Sequence, residues 1–265
     1  MSVSPSLLPL SVIVTRLRAA GCVFAEDEAR LLVSAAGTPA DLTALVDRRV
    51  AGLPLEHVLG WAEFRGLRVA VDPGVFVPRR RTEFLVDRAA ELAGPGAVVV
   101  DLCCGSGALG AALVAALGRA ELHAADIDPV AVRCARRNVA AVGGRVYEGD
   151  LYEPLPAALR GRVDVLLANA PYVPTEEIGL LPPEARLYEP RVALDGGADG
   201  LDVQRRVTAA AAHWLAPGGH LLVETSEHQA PHTVEAFARH GLLPHTATSD
   251  THDATIVIGT RPTPA

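Results

Sequence analysis

The sequence predicts an α/β protein in which a small helical domain and a connecting β-hairpin precede a doubly wound parallel sheet. Three observations carry this. Apolar residues recur at three- and four-residue spacing from Leu7 to about Gly52, short runs broken by turn residues follow as far as Pro78, and from AVVVDL onward strand-like and helix-like segments alternate. At 265 residues and 49% hydrophobic content, the chain can bury one large core, or a catalytic domain with a small accessory one.

The opening MSVSPSLLPLSVIVTRLRAAG reads as an amphipathic helix. Its apolar run is short, lacks a basic start and an Ala-x-Ala cleavage pattern, and is interrupted by Arg16 and Arg18. Leu31, Leu32 and Ala35, then Leu42, Leu45 and Val46, keep the helical period. Gly21, Gly37 and Gly52 fall where helices end, and Pro39 followed by Asp41 suits a helix start, which together define a helical domain over 1–53. Leu67 to Val71 and Val75 to Val77 flank Asp72-Pro73-Gly74 and read as a β-hairpin linker over 54–78. A helix from Thr82 to Ala93 opens the third unit, 79–265, with strands at AVVVDL, ELHAAD, RVYE, VDVLLA and near 220–224. No internal repeat or low-complexity tract is present in the sequence.

Composition excludes several partners. The net charge of −7, with 24 Lys and Arg spread along the chain, gives no global attraction to a phosphate backbone, so direct nucleic-acid binding is not expected. No stretch of roughly 18 uncharged apolar residues occurs, so no membrane span is expected. Cys22, Cys103, Cys104 and Cys134 have neither disulfide-framework nor zinc spacing, which fits reduced thiols and a cytoplasmic location. The 9 histidines show no metal-ligand spacing, and no metal site is expected.

Four segments carry chemistry. In VVVDLCCGSGALGAALVAAL, an apolar strand ends in Asp101 and a turn with Gly105, Ser106, Gly107 and Gly110 opens a helix, a device that lets a ligand approach the backbone. Gly-x-Gly-x-x-Gly serves nicotinamide dinucleotides and S-adenosylmethionine alike. HAADIDPVAVRCARRN ends the next strand in Asp126, whose carboxylate can accept both hydroxyls of a ribose, while Asp128-Pro129 reads as a helix N-cap. YEGDLYEPL puts Asp150 after the third strand, near where an adenine amino group would lie; a solvated loop acid is the competing reading.

The fourth segment, VDVLLANAPYVPTEE, decides between cofactors. It ends a buried strand in Asn169-Ala170-Pro171-Tyr172 at the crevice edge of the sheet. An amide or aryl-amine nitrogen is a poor nucleophile because its lone pair is delocalised, so a site must hold its two N–H groups and aim the lone pair at the methyl. The Asn169 side-chain oxygen and the Ala170 carbonyl are the two acceptors, and Tyr172 can stack on the planar group. An Asn-x-Pro-Tyr β-turn without function would not require placement beside a glycine loop.

With these segments in place, the chain resembles the protein-glutamine methyltransferases of the HemK/PrmC type, which methylate the side-chain amide of the glutamine in the Gly-Gly-Gln motif of peptide chain release factors. The resemblance runs from about Pro54 through Gln229 and includes PLEHVLGWAEFRGL, GVFVPRRRTEFLV, DLCCGSGALG, NAPYVPTEEI, LPPEARLYEPRVALDGGADGLD and LAPGGHLLVE. It implies a class I methyltransferase (Rossmann-like) domain closing in an antiparallel hairpin from LLPHTATSD and DATIVIGT, with the amino-terminal helices docking the release factor. It implies S-adenosyl-L-methionine as cofactor, with Asp101, Gly105, Ser106, Gly107, Asp126, Asp150 and Asn169 as its candidate contacts. It also implies a glutamine site at Asn169, Ala170, Pro171 and Tyr172.

The sequence departs from the family pattern in three places. Ala170 stands where a proline is usual, keeping the carbonyl but not the ring. Arg80 and Arg81 replace a proline and an acid in Pro78-Arg79-Arg80-Arg81-Thr82-Glu83, and the first 50 residues match only in helical texture. The alternatives are a methyltransferase of another protein glutamine or of a nucleic-acid exocyclic amine, a non-catalytic binding protein, and an NAD-dependent oxidoreductase. The last leaves the Asn-Ala-Pro-Tyr segment unexplained. Arg133, Arg136 and Arg137 read as a solvated helix face, Trp61 and Phe64 as hairpin packing, and Glu224 as a strand-end acid near the crevice.

Overall fold

A computed structural model describes residues 8–264. Helices α1 (Leu10–Ala19), α2 (Ala25–Ala35), α3 (Pro39–Val50) and α4 (Leu55–Leu59) bury Ile13, Leu17, Leu32, Leu42 and Val46 in a core of their own. Residues 1–7 of the expected helical domain lie outside the described residues. Thr38 caps α3 by accepting the Asp41 N–H at 3.1 Å, with Pro39 in the first turn where no N–H is needed. Arg49 is buried between Glu28 (2.6 Å) and Glu184 (2.8 Å), and Tyr188 donates to the Ala51 carbonyl at 3.2 Å. These contacts fasten the helices to α8 (Pro183–Tyr188), far along the chain.

The hairpin differs from expectation. It pairs β1 (Trp61–Phe64) with β2 (Leu67–Ala70) around Arg65-Gly66, both at positive φ, the two-residue geometry that matches strand twist. Val75 to Val77 form no strand: a turn bonds Val75 N–H to the Asp72 carbonyl, His57 Nε2 donates to the Val75 carbonyl, and Glu189 accepts the Val77 N–H. With their backbone groups taken by side chains and a turn, Val75 and Val77 instead pack with Ala62, Val71 and Cys134. Asn138 clips the hairpin edge, bonding both polar groups of Ala70 and the carbonyl of Ser106.

The sheet runs β5-β4-β3-β6-β7-β9-β8. Strands β3 (Val98–Leu102), β4 (Glu121–Asp126), β5 (Arg145–Glu148), β6 (Val163–Ala168) and β7 (Leu215–Thr225) are parallel. The closing pair β8 (Leu243–Ser249) and β9 (Ala254–Thr260) is antiparallel. In β3, Val99 faces one layer and Val98, Val100 and Leu102 the other, which is why the run is apolar throughout. Helices α5 (Glu83–Leu92), α6 (Ala108–Leu117) and α7 (Pro129–Ala140) cover the first face through Leu85, Leu113 and Ala135. Helices α9 (Asp202–Trp214) and α10 (Ala230–Arg239) cover the second through Val207, Trp214 and Phe237. Strand order reverses about β3, with β4 on one side and β6 on the other, so a crevice opens at their carboxyl ends.

Candidate active site

The crevice at the strand ends is lined by Gly105, Ser106, Asp126, Asp150, Asn169 and Pro171, together with apolar Phe76, Ile127 and Leu151. Gly105 has φ +55°, and a side chain there would meet nothing within 4 Å, so the backbone itself forms that wall. Asp126 accepts the Gly105 N–H at 2.8 Å and the Asp128 N–H at 2.9 Å, one on each oxygen, which shapes the turn and leaves a lone pair on each oxygen for a ligand hydroxyl. Burial raises its pKa, and those backbone donors work against the rise. Asp128 caps α7 by accepting from Val130 N at 2.8 Å, and Asp150 pairs with Arg206 at 2.6 Å.

Two of the candidates stand behind this wall. Asp101 is fully buried and accepts the Gly110 N–H at 2.9 Å through one oxygen; its other oxygen has no partner among the described residues. Burial pushes its carboxyl up to about 7, against the Gly110 N–H that favours the charged form. Gly107 faces α7, where a Cβ would lie 2.7 Å from Val139. Both hold the turn in shape without lining the crevice.

A second cleft joins the first at Phe76, Asn169, Pro171 and Ala193, and adds Ala170 and Tyr172 to its lining. Here β6 has ended and the four-residue segment leaves the sheet. The Asn169 side-chain amide donates to Thr82 Oγ1 at 3.5 Å. Neither the Asn169 side-chain oxygen nor the Ala170 carbonyl takes a hydrogen bond from a described residue. Tyr172 accepts from the Arg81 guanidinium at 2.6 Å and donates to Glu224 Oε1 at 3.2 Å. Burial and the neighbouring Glu224 raise the Tyr172 pKa, so the phenol stays protonated.

The chain behind Tyr172 is fixed as firmly. Gln229 donates to the carbonyls of Tyr172 (2.9 Å) and Asp199 (3.0 Å), and Val173 N–H bonds the Leu194 carbonyl at 3.0 Å. Gly200, at φ +79°, passes so close that a Cβ would stand 2.3 Å from the Tyr172 carbonyl. That contact explains glycine in DGGADGLD. Nothing in the sequence marks Thr82 or Gln229 as functional. Thr82 lies inside a resembling segment and Gln229 at the end of the resembling range, but only their placement in space shows what they touch.

Among the described residues no cluster of three or more His, Cys, Asp and Glu could hold a metal ion, and no helix is long and apolar enough to cross a membrane. The methyltransferase small domain family model matches residues 66–180. A release factor glutamine methyltransferase of Geobacter sulfurreducens is 40% identical, covering 84% of this chain and 79% of that protein. Another, of Gloeobacter violaceus, is 42% identical over 75% of this chain and 71% of that protein. A third, of Mycolicibacterium smegmatis, is 40% identical with 81% and 78% covered. A methyltransferase structure from Pyrococcus furiosus superposes with TM-score 0.57 at 16% identity, over 74% of this chain and 90% of that one. The T. thermophilus 16S rRNA N2 G1207 methyltransferase does so with 0.55 at 20%, over 76% and 49%. These two likenesses establish the fold, a class I methyltransferase sheet.

Proposed function

The chain belongs to the release factor glutamine methyltransferase family, and on that premise we propose that it transfers a methyl group from S-adenosyl-L-methionine to the side-chain amide nitrogen of a glutamine in a peptide chain release factor. The carrying observation is the pair of unengaged acceptors, Asn169 Oδ1 and the Ala170 carbonyl, at the junction of two clefts.

The crevice fits the cofactor's parts. Gly105 offers open backbone, Asp126 a carboxylate for the ribose hydroxyls, Ile127 and Leu151 apolar surface for the base, and Asp150 an acceptor for its amino group. When bound, S-adenosylmethionine supplies an electrophilic methyl group. Asn169 and Ala170 would take the two amide N–H groups of the glutamine, which orients the nitrogen lone pair and stabilises the positive charge that develops as the sulfur–methyl bond breaks, a charge discharged when one of those two protons is lost and the sulfur departs as the thioether. Tyr172, held by Arg81 and Glu224, borders the planar amide and limits water. Orientation of this kind can contribute about 7–11 kcal/mol.

The acceptor is the glutamine of the Gly-Gly-Gln loop, the helices over 1–53 dock the acceptor protein, and action on a translation factor puts the reaction in the cytoplasm. Purified enzyme with a bacterial release factor and labelled cofactor should add one methyl group to the Gly-Gly-Gln peptide, read by mass spectrometry. An unmodified peptide alongside methylation of nucleic acid or another protein would overturn the acceptor and leave the methyl transfer intact.

A further inference from the structure

A single short turn touches both ends of the acceptor segment. Arg80–Thr82 precedes α5, and within it Thr82 reaches Asn169 while Arg81 reaches Tyr172. Between those ends lies Ala170, buried but with no ring to fix its φ, and followed by Pro171, which restricts it. Glu224 is buried, and its Oε1 receives both the Arg81 Nε–H and the Tyr172 hydroxyl, each at 3.2 Å. Arg81 keeps 46% of its side chain exposed while Glu224 keeps 3%, so water screens the pair from the arginine side only; the pair also gives the phenol a fixed direction.

We infer that Arg81 is a positioning residue whose planar fork, braced on Glu224, fixes the direction of Tyr172 and thereby steadies the acceptor segment, in which Ala170 supplies no ring. The inference deepens the proposed methyl transfer and rests on it for the word acceptor, but the clamp itself is a statement about the segment's motion. Replacing Ala170 by proline stiffens the same segment by another route, so the two devices are partly redundant. A residue that merely neutralised Glu224 would show no such redundancy and would be replaceable by lysine, which keeps the charge but loses the fork.

The test is a double-mutant cycle on the full-length protein, with Arg81→Ala, Arg81→Lys and Ala170→Pro, singly and combined, and hydrogen exchange at Val173, whose N–H is held by the Leu194 carbonyl, as the first readout. Arg81→Ala should speed exchange there about 10-fold, Arg81→Lys nearly as much, and either only about 2-fold when Ala170→Pro is present. In methyl transfer to the release factor, Arg81→Ala should lower kcat about 10-fold, with cofactor affinity and acceptor KM within about 3-fold, and the same dependence on position 170. Equal losses with and without the proline, or a lysine variant indistinguishable from wild type, would overturn the clamp. If Arg81→Ala does not fold, Tyr172→Phe in the same cycle replaces it, since it removes the hydroxyl that Arg81 holds. Failure of the wild-type enzyme to methylate release factor refutes the acceptor assignment, while the exchange data still decide the clamp.

Discussion

The Asn169 side-chain amide donates to Thr82 Oγ1 across 3.5 Å, a long hydrogen bond that leaves the Asn169 oxygen as the end of the amide open to a substrate. Asn169→Ala should therefore cut methyl transfer by about 100- to 1000-fold while S-adenosylmethionine affinity stays nearly intact. Thr82→Val, which keeps shape but removes the partner, should cost about 10-fold in kcat. Steady-state kinetics with calorimetry separates the two effects; transfer by Asn169→Ala within threefold of wild type would refute its role.

Asp126 braces the Gly105 turn and offers the crevice its carboxylate. Asp126→Ala should weaken cofactor binding by about 1.5–3 kcal/mol and also lower the melting temperature, because two backbone donors lose their acceptor. Asp126→Asn keeps one acceptor oxygen and should spare more of the fold than of the affinity. Unchanged affinity in calorimetry would mean the ribose is held elsewhere.

Asp101 binds its proton more tightly folded than unfolded, with a folded pKa of about 7 against an ordinary value of 3.8. Between those two values the folded state carries a proton that the unfolded state has released. Stability therefore falls as pH rises from about 4 to 7, by up to about 1.4 kcal/mol per pH unit from this group, and levels off above 7. Asp101→Asn keeps an acceptor for Gly110 and should remove that slope, making the variant relatively more stable at pH 8 than at pH 4. Chemical denaturation at several pH values reads it directly, and parallel curves for the two proteins would rule the effect out.

Arg49 lies buried between Glu28 and Glu184, joining the helical domain to α8. Arg49→Ala leaves Glu28 buried without its cation and should destabilise by about 3–5 kcal/mol. Deleting residues 1–50 removes Arg49 with the docking helices. It should depress methylation of intact release factor far more than it depresses cofactor binding, and equal losses in both would argue that the helices serve stability alone.

Contiguous residues encode part of this fold without help from the rest of the chain. Apolar alternation and turn chemistry located β3 to β6 and the Asp128 cap, the resemblance to a known family implied the closing antiparallel pair, and Asn169-Ala170-Pro171-Tyr172 is legible as a candidate site because its residues are contiguous along the chain. The hairpin was misplaced because Val75 to Val77 have strand-like residues, yet their backbone groups are taken by His57, Glu189 and a turn. Asp101 and Gly107 read as crevice residues because sequence gives the turn but not which side of it faces inward. The contacts of Thr82 with Asn169 across 87 residues and of Arg81 with Glu224 across 143 arise when the whole chain is folded. Such pairings depend on how α5 packs against β6 and β7, and packing is a property of the whole core, absent from any window of the chain.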